Sequence, residues 1–203
     1  WLYNEWEDTN RALVDRLGDG QIAYTHMRDM GSEELNEFLK DMHTRTLGKK
    51  AIIIDLRYNN GGNVHNEVLE FLSQKAHYQW AYRDFPSNSH PNVTPGDIPI
   101  IALVNERSLS DAEVTSNGIQ TLGLATIVGT ETYRWIIFTS GTTLLDGSYL
   151  RLPAWGCYSL DGKDLEFTGV KPDIYVKNTF EDRLKGRDPQ LERAIEEALK
   201  RIK

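Results

Sequence analysis

The stretch that decides the fold is AIIIDL, residues 51–56. An unbroken apolar run of this length is typical of a β-strand covered on both faces, because a strand with one face in water alternates polar and apolar residues. Two runs of the same kind follow, IPIIALV at 98–104 and ATIVG at 125–129. We therefore predict an α/β fold with a mostly parallel sheet flanked by helices.

The segments around these runs carry helical spacing or turn composition. Apolar residues that recur every three or four positions predict helices, and clusters of Pro, Ser, Asn, Asp and Gly predict loops and turns. The predicted elements are a strand at 21–27, helices at 33–45, 64–76, 110–122 and 190–202, a loop at 84–97, and short strands with Gly-rich turns between 138 and 175.

The first residues form a segment of their own. Residues 1–17 place apolar side chains at mostly helical spacing, and Gly18 and Gly20 end the pattern. We predict a helical arm or linker at 1–18 and one globular domain at 19–203. Because the chain opens inside a helical pattern, we also expect that it continues from preceding sequence.

Composition excludes several classes of protein. The chain has 203 residues, 39% hydrophobic and 26% charged, as in soluble globular proteins. The net charge of −7 is spread along the chain, which argues against a nucleic-acid partner. No apolar run is long enough to span a membrane. The single cysteine, Cys157, allows no internal disulfide and no cysteine-rich zinc site, and we expect no metal or organic cofactor.

Ser110 follows the 98–104 strand at the point where a helix begins. Backbone N–H groups of a first helical turn converge there, so they can bind the oxyanion that forms when a hydroxyl attacks a carbonyl. The spacing of Ser110 and Glu113 is equally that of a capping box, in which the two residues only close the helix end. From the spacing alone, both interpretations remain open.

A second junction, DLRYNNGGN at 55–63, follows the 51–56 strand. Loops beyond the carboxyl ends of parallel strands build the active sites of α/β sheets. Gly61 and Gly62 would let the backbone approach a ligand closely, but taken alone the motif fits a simple tight turn better, with Asn59 and Asn60 as turn formers. Two neighbouring junctions with backbone donors and a hydroxyl make a weak case for acyl transfer.

Several segments together resemble the carboxyl-terminal processing peptidases and their tricorn relatives. The resemblance is carried by DLRYNNGGN and NERSLSDAE, and it extends nearly over the whole chain in the same order. The further matching segments are DGQIAY at 19–24, VGTET at 128–132, EFTGVKPDI at 166–174 and GRDPQL at 186–191.

The resemblance implies a ClpP/crotonase-like fold and a tricorn-like serine endopeptidase, with the arm at 1–18 following a PDZ domain. Ser110 would be the nucleophile, and backbone N–H groups of Asp111 and of Gly61 or Gly62 would form the oxyanion hole. Glu166 would complete a Ser-His-Ser-Glu tetrad; without the resemblance it would be an exposed strand residue. The substrate would be a peptide or unfolded protein, and a homo-oligomer is compatible with the resemblance because tricorn forms rings.

The general base departs from both branches of this superfamily. Where the processing peptidases carry a catalytic Lys, this chain has Trp135, preceded by Arg134. Neither side chain can accept a proton, and we expect both to contact substrate. The tricorn branch takes its His from a segment before the PDZ domain, which this chain lacks. His65 is the only histidine near the predicted site. An inactive peptide-binding or assembly module, or less closely an acyl-CoA enzyme, stay open as alternatives.

Overall fold

The computed structural model describes residues 1–93 and 95–202 of the chain. Its elements, in chain order, are α1 Leu2–Leu17, β1 Ile22–His26, α2 Ser32–Thr44, β2 Ala51–Asp55, α3 His65–Leu72, β3 Tyr78–Trp80, β4 Asn88–His90, a 3₁₀ turn Pro95–Asp97, β5 Ile100–Val104, α4 Asp111–Leu122, β6 Thr126–Gly129, β7 Ile137–Thr143, β8 Tyr149–Gly156, α5 Leu165–Thr168, β9 Ile174–Tyr175, α6 Phe180–Leu184 and α7 Pro189–Arg201.

One five-stranded parallel sheet organises the molecule, in the order β1-β2-β5-β6-β9. Ile53 of β2 lies between Tyr24 of β1 and Ile101 of β5. The prediction of a mixed α/β fold with a mostly parallel sheet flanked by helices is confirmed. Because β2 and β5 are neighbours, the two loops that follow them emerge side by side at one edge of the sheet.

Helices cover both faces of the sheet. Ile52 and Ile54 point into a core that contains Val68 of α3, whereas Ile53 points into a second core that contains Ile195 of α7. All five residues of β2 are buried. This double covering is the reason why the strand reads as a continuous apolar run.

The predicted N-terminal arm is helix α1, and it packs on the same face of the sheet as α7. Val14 is buried in the core that contains Leu191. The boundary that we predict at residue 18 remains a prediction. In the part of the chain that the structure describes, no helix combines the length and apolar character that a membrane crossing requires.

Two predictions between β2 and β5 are wrong in part. The helix predicted at 64–76 ends at Leu72, because the next residues turn to bind the 3₁₀ turn: the Ala76 N–H donates to Asp97 Oδ2 at 3.0 Å. The loop predicted at 84–97 contains strand β4, which pairs with β3. Residue 94, also within that prediction, lies outside the described residues.

The segment predicted as short strands contains a long hairpin and a helical turn. Strands β7 and β8 pair antiparallel as a two-stranded sheet apart from the main one. Glu166 does not lie on a strand, as its residue type alone suggested, but on α5. Asp164 caps this helical turn by accepting hydrogen bonds from the N–H groups of Glu166 and Phe167, and local capping therefore decides the structure here.

Candidate active site

The loops after β2 and β5 are joined by hydrogen bonds. The Leu109 N–H donates to the Asn59 carbonyl oxygen at 3.1 Å, and the Tyr58 N–H donates to Asn105 Oδ1 at 3.1 Å. Asn59 is fully buried, and its side chain also donates to the Met27 carbonyl oxygen at 2.8 Å. The two junctions that the sequence singled out therefore form one rigid unit at the sheet edge.

Ser110 has a strained backbone at the start of α4. Its φ of 56° and ψ of −119° lie in a region that non-glycine residues rarely adopt. Such a conformation costs about 1–3 kcal/mol and persists only where the surroundings impose it. Ser110 occupies the N-cap position of α4, and an N-cap residue ordinarily has extended backbone angles. Capping therefore does not account for the positive φ of Ser110.

Gly61 lies directly against Ser110. A Cβ atom at Gly61 would be 2.6 Å from Ser110 Cβ and 3.1 Å from Ser110 Oγ, and the φ of Gly61 is +78°. Both the close approach and the left-handed backbone require glycine. The Gly61 N–H donates to Asn59 Oδ1 at 2.9 Å, so it is not available to a ligand. Gly62 is exposed, and its N–H has no acceptor among the described residues.

Asp111 has a buried side chain that holds the start of α3. Its Oδ2 accepts the N–H groups of Val64 at 2.8 Å and His65 at 3.1 Å. Its Oδ1 lies 2.5 Å from His65 Nδ1. The carboxylate thus fixes the loop that carries Gly61 and Gly62 relative to Ser110. The Asp111 N–H, at the first position of α4, has no acceptor in the described part of the chain.

Glu113 joins Ser110 to the segment 132–135. Its carboxylate is fully buried, and Oε2 accepts the Ser110 N–H at 3.0 Å and the Trp135 N–H at 2.9 Å. Oε1 accepts the Thr132 hydroxyl at 2.6 Å and the Arg134 N–H at 2.7 Å. The half of the predicted capping box that Glu113 supplies is therefore present, together with three further contacts.

Arg134 and Trp135 border the site with half-exposed side chains. The backbone of this segment is occupied, since the N–H groups of both residues bind Glu113 and the Tyr133 N–H donates to the Ser108 carbonyl oxygen at 3.0 Å. The Arg134 guanidinium pairs with Glu131 at 2.6 Å. Any contact with a ligand would therefore be made by the two side chains.

Glu166 lies on an element that packs beside this segment. Gly169, at the end of α5, is so close to Arg134 that an added Cβ would lie 2.9 Å from Arg134 Cγ. Within the described residues, Glu166 makes no side-chain hydrogen bond to Ser110, nor does any histidine. The structure therefore brings together Ser110, Asp111 and the glycine pair, and places Glu166 one helical turn from the neighbouring segment.

Three features of this site were missed by sequence reasoning. They are the bridging side chain of Asn59, the carboxylate of Asp111 and the additional contacts of Glu113. Asn59 has the composition of a turn former and Glu113 has cap spacing, so local patterns describe both fully. Only the order of β1, β2, β5 and β6 in the sheet shows that these side chains reach a second loop.

Comparisons with known proteins identify the family of the chain. The model of Peptidase family S41 matches residues 20–176. The chain is 31% identical to the tricorn protease of Thermoplasma acidophilum, over 99% of this chain and 19% of that protein. It is 30% identical to a Sulfurisphaera tokodaii protein named as a tricorn-like protease C-terminal subunit, over 99% of this chain and 24% of that protein.

Structural similarity points the same way. A crystal structure of the tricorn protease matches with a TM-score of 0.88 and 30% identity, over 98% of this chain and 20% of that chain. The chain spans between about a fifth and a quarter of the length of these relatives. Because the family match extends from residue 20 to residue 176, the chain belongs to peptidase family S41.

Proposed function

We propose that the protein is a tricorn-like serine endopeptidase that cleaves peptide bonds through an acyl-enzyme on Ser110. The observation that carries the proposal is the strained Ser110, packed against Gly61 and next to the N–H groups of Asp111 and Gly62, which have no acceptor among the described residues. Backbone strain that surrounding contacts maintain is a feature of functional sites. Family membership makes peptide hydrolysis the reaction class to test first.

Each residue has a specific role in this proposal. Ser110 Oγ attacks the peptide carbonyl carbon, and its proton passes to a base that then protonates the leaving amine. The N–H groups of Asp111 and Gly62 stabilise the oxyanion, whereas Gly61 provides the space for the close approach. Water then hydrolyses the ester. Glu166 orients the base or its partner, as the acidic member of a tetrad.

The general base is proposed to come from outside this chain. In the described residues no histidine hydrogen-bonds to Ser110, and His65 turns its Nδ1 to Asp111 instead. A relative that is named as a C-terminal subunit is consistent with machinery divided between two polypeptides or segments. We therefore propose that a preceding segment, beyond a PDZ domain next to residues 1–18, supplies the histidine.

The substrate is proposed to be a peptide or an unfolded protein. Arg134 and Trp135 would contact it through their side chains, since their backbone donors are occupied. Assembly into a homo-oligomer is part of the same proposal.

Peptide hydrolysis by the protein with its natural N-terminal sequence tests the proposal. Ser110→Ala should lower kcat by a factor on the order of 10⁶, the scale of removing a catalytic serine. Ser116→Ala, on the same helix, is the matched control: within the described part of the chain its hydroxyl donates only to the Ala112 carbonyl oxygen, so activity should be retained. If folded Ser110→Ala hydrolyses peptides as fast as the unmodified protein, the proposal is wrong. Peptide binding without hydrolysis would instead indicate a binding or assembly module.

A further inference from the structure

The Glu113 carboxylate has no cationic partner in the part of the chain that the structure describes, although it is fully buried. The guanidinium of Arg134, whose backbone N–H binds Glu113, pairs with Glu131 instead. Glu113 is stabilised by four hydrogen-bond donors and by its place in the first turn of α4, where the helix dipole favours a negative charge. Burying a carboxylate away from water costs free energy even when hydrogen bonds compensate for part of it. The burial of Glu113 therefore suggests that this side chain has a specific role.

The four donors belong to two separate segments. One is the N–H of Ser110, and the other three lie in the 132–135 segment. Each carboxylate oxygen accepts two of them, and Oε2 is shared between the Ser110 N–H and the Trp135 N–H. A single side chain therefore connects the nucleophile's strained turn to the segment that borders it.

We infer that Glu113 is a positioning residue, which holds Ser110 in its strained conformation and locks it in register with the 132–135 segment. This inference rests on the proposed function of Ser110 and deepens it. A hydrogen bond from the Ser110 N–H fixes the peptide plane that sets its φ of 56°. Without that acceptor, the strained turn loses one of the contacts that impose it, and the hydroxyl leaves the direction of attack.

The inference also assigns a role to the segment 132–135. Glu113 orients Arg134 and Trp135 by their backbone, so the two side chains project from a fixed base beside the nucleophile. Substrate selection and the geometry of attack would then depend on the same carboxylate. The peptide substrate would be recognised by a cationic and an aromatic side chain, and not by backbone hydrogen bonds to this segment.

Glu113→Gln is the decisive substitution, because it keeps the size of the side chain and changes one acceptor into a donor. All four partners present donors. If the Gln oxygen replaces Oε2, the new NH₂ group faces the Arg134 N–H; if it replaces Oε1, the NH₂ group faces Ser110 and Trp135. One backbone donor is therefore left unpaired in the first orientation and two in the second.

The experiment measures inactivation by a fluorophosphonate in the protein with its natural N-terminal sequence. Glu113→Gln should lower the maximal inactivation rate about 100-fold, the scale of a misplacement of about 1 Å, with a much smaller change in the half-saturating probe concentration. Glu197→Gln is the matched control: it makes the same chemical change at another largely buried carboxylate, which belongs to α7 on the opposite face of the sheet. Its inactivation rate should remain that of the unmodified protein.

A folded Glu113→Gln protein that is inactivated as fast as the Glu197→Gln control would overturn the inference. If Glu113→Gln does not fold, Thr132→Val removes one of the four donors and leaves the charge in place. It should still slow inactivation several-fold, and an unchanged rate would overturn the inference equally.

Amide hydrogen exchange separates this inference from the proposed function, since it needs no catalysis. The amides of Ser110 and Trp135 should exchange faster in Glu113→Gln than in Glu197→Gln. If the unmodified protein is not labelled at all, the proposed function fails, while the exchange rates still decide whether Glu113 holds the two segments. Equal exchange rates of these two amides in both variants would refute the inference that Glu113 holds the two segments together.

Discussion

At the scale of single residues, the side chains behind the candidate site form one buried network around Asp55 and Arg57. Arg57 is 1% exposed; it donates to Asp55 Oδ2 at 2.7 Å and to Asp188 at 2.8 Å. Burial alone would raise the pKa of Asp55, but Arg57 holds that pKa below its usual value. Because Asp55 ends the strand that leads to Gly61, this network fixes the start of the loop that carries Gly61 and Gly62.

His26 links the same network to the N-terminal helix. Its Nδ1 lies 2.8 Å from the Asp55 carbonyl oxygen, which can only accept, so Nδ1 carries the proton. Its Nε2 then accepts from the Tyr3 hydroxyl at 2.7 Å. Burial, with a smaller contribution from Asp55, raises the pKa of Tyr3 to about 12, so this hydroxyl remains a donor at neutral pH. The neutral form of His26 is thus built into the fold.

This neutral histidine predicts a loss of stability in weak acid. Burial lowers the pKa of His26 in the folded protein, so the unfolded chain takes up a proton first as the pH falls below about 6.5. The free energy of unfolding should therefore decrease from about pH 7.5 to about pH 5.5, by up to about 1.4 kcal/mol for each unit of pKa difference. Urea denaturation at both pH values measures it.

The variant His26→Asn isolates this contribution. It keeps a donor for the Asp55 carbonyl oxygen but cannot titrate, so its stability should depend less on pH over the same range. His43→Asn, at an exposed position of α2, is the control and should keep the full dependence. An equal dependence in His26→Asn and the unmodified protein would contradict the assignment of a neutral His26.

At the scale of elements, α7 is tied to the sheet by the residue that caps it. Asp188 Oδ1 accepts the Leu191 N–H at 3.0 Å, and the same carboxylate binds the buried Arg57. Thr179 caps α6 by accepting the Asp182 N–H at 3.1 Å, and this cap is exposed and binds no cation. The two caps therefore have similar local geometry but different connections to the core.

Replacing these caps should separate the two effects. Thr179→Ala should cost about 1 kcal/mol, the usual value of an N-cap. Asp188→Ala should cost about 3–5 kcal/mol, because it also leaves the buried Arg57 without one of its two carboxylates. Urea denaturation of both variants measures the difference. Equal losses would show that the Arg57–Asp188 pair adds nothing to the cap.

Sequence patterns predicted the long elements well, and the reasons are physical. Strand β2 was predictable because burial on both faces produces an unbroken apolar run, and helix α7 because its buried stripe repeats every three or four residues. The end of α3 could not be predicted from local sequence. The residues after Leu72 leave the helix, and the Ala76 N–H donates to Asp97, which is distant in the sequence. The turn at Glu166 depends on the Asp164 cap, which overrides a strand-like context.

At the scale of the whole molecule, the sheet order explains why the site was only partly visible in the sequence. Ser110, Gly61 and Gly62 could be singled out because each ends a recognisable strand-turn junction. The connections made by the Asn59 side chain and by the Glu113 carboxylate could not, since they join separate loops and follow only from the order of β1, β2, β5 and β6 in the sheet. The resemblance to the family rests on the order of these segments along the chain, whereas only the fold shows which of them are in contact.

The central proposal also concerns the whole molecule: Ser110 is a nucleophile, and its general base comes from a segment outside these residues. Fluorophosphonate labelling, mapped to the modified residue by mass spectrometry, tests it most directly on two proteins: this chain alone and the form extended by its natural N-terminal sequence. We predict labelling of Ser110 in the extended form, none in its Ser110→Ala variant, and little or none in the chain alone. A folded extended protein that remains unlabelled at Ser110 would contradict the account.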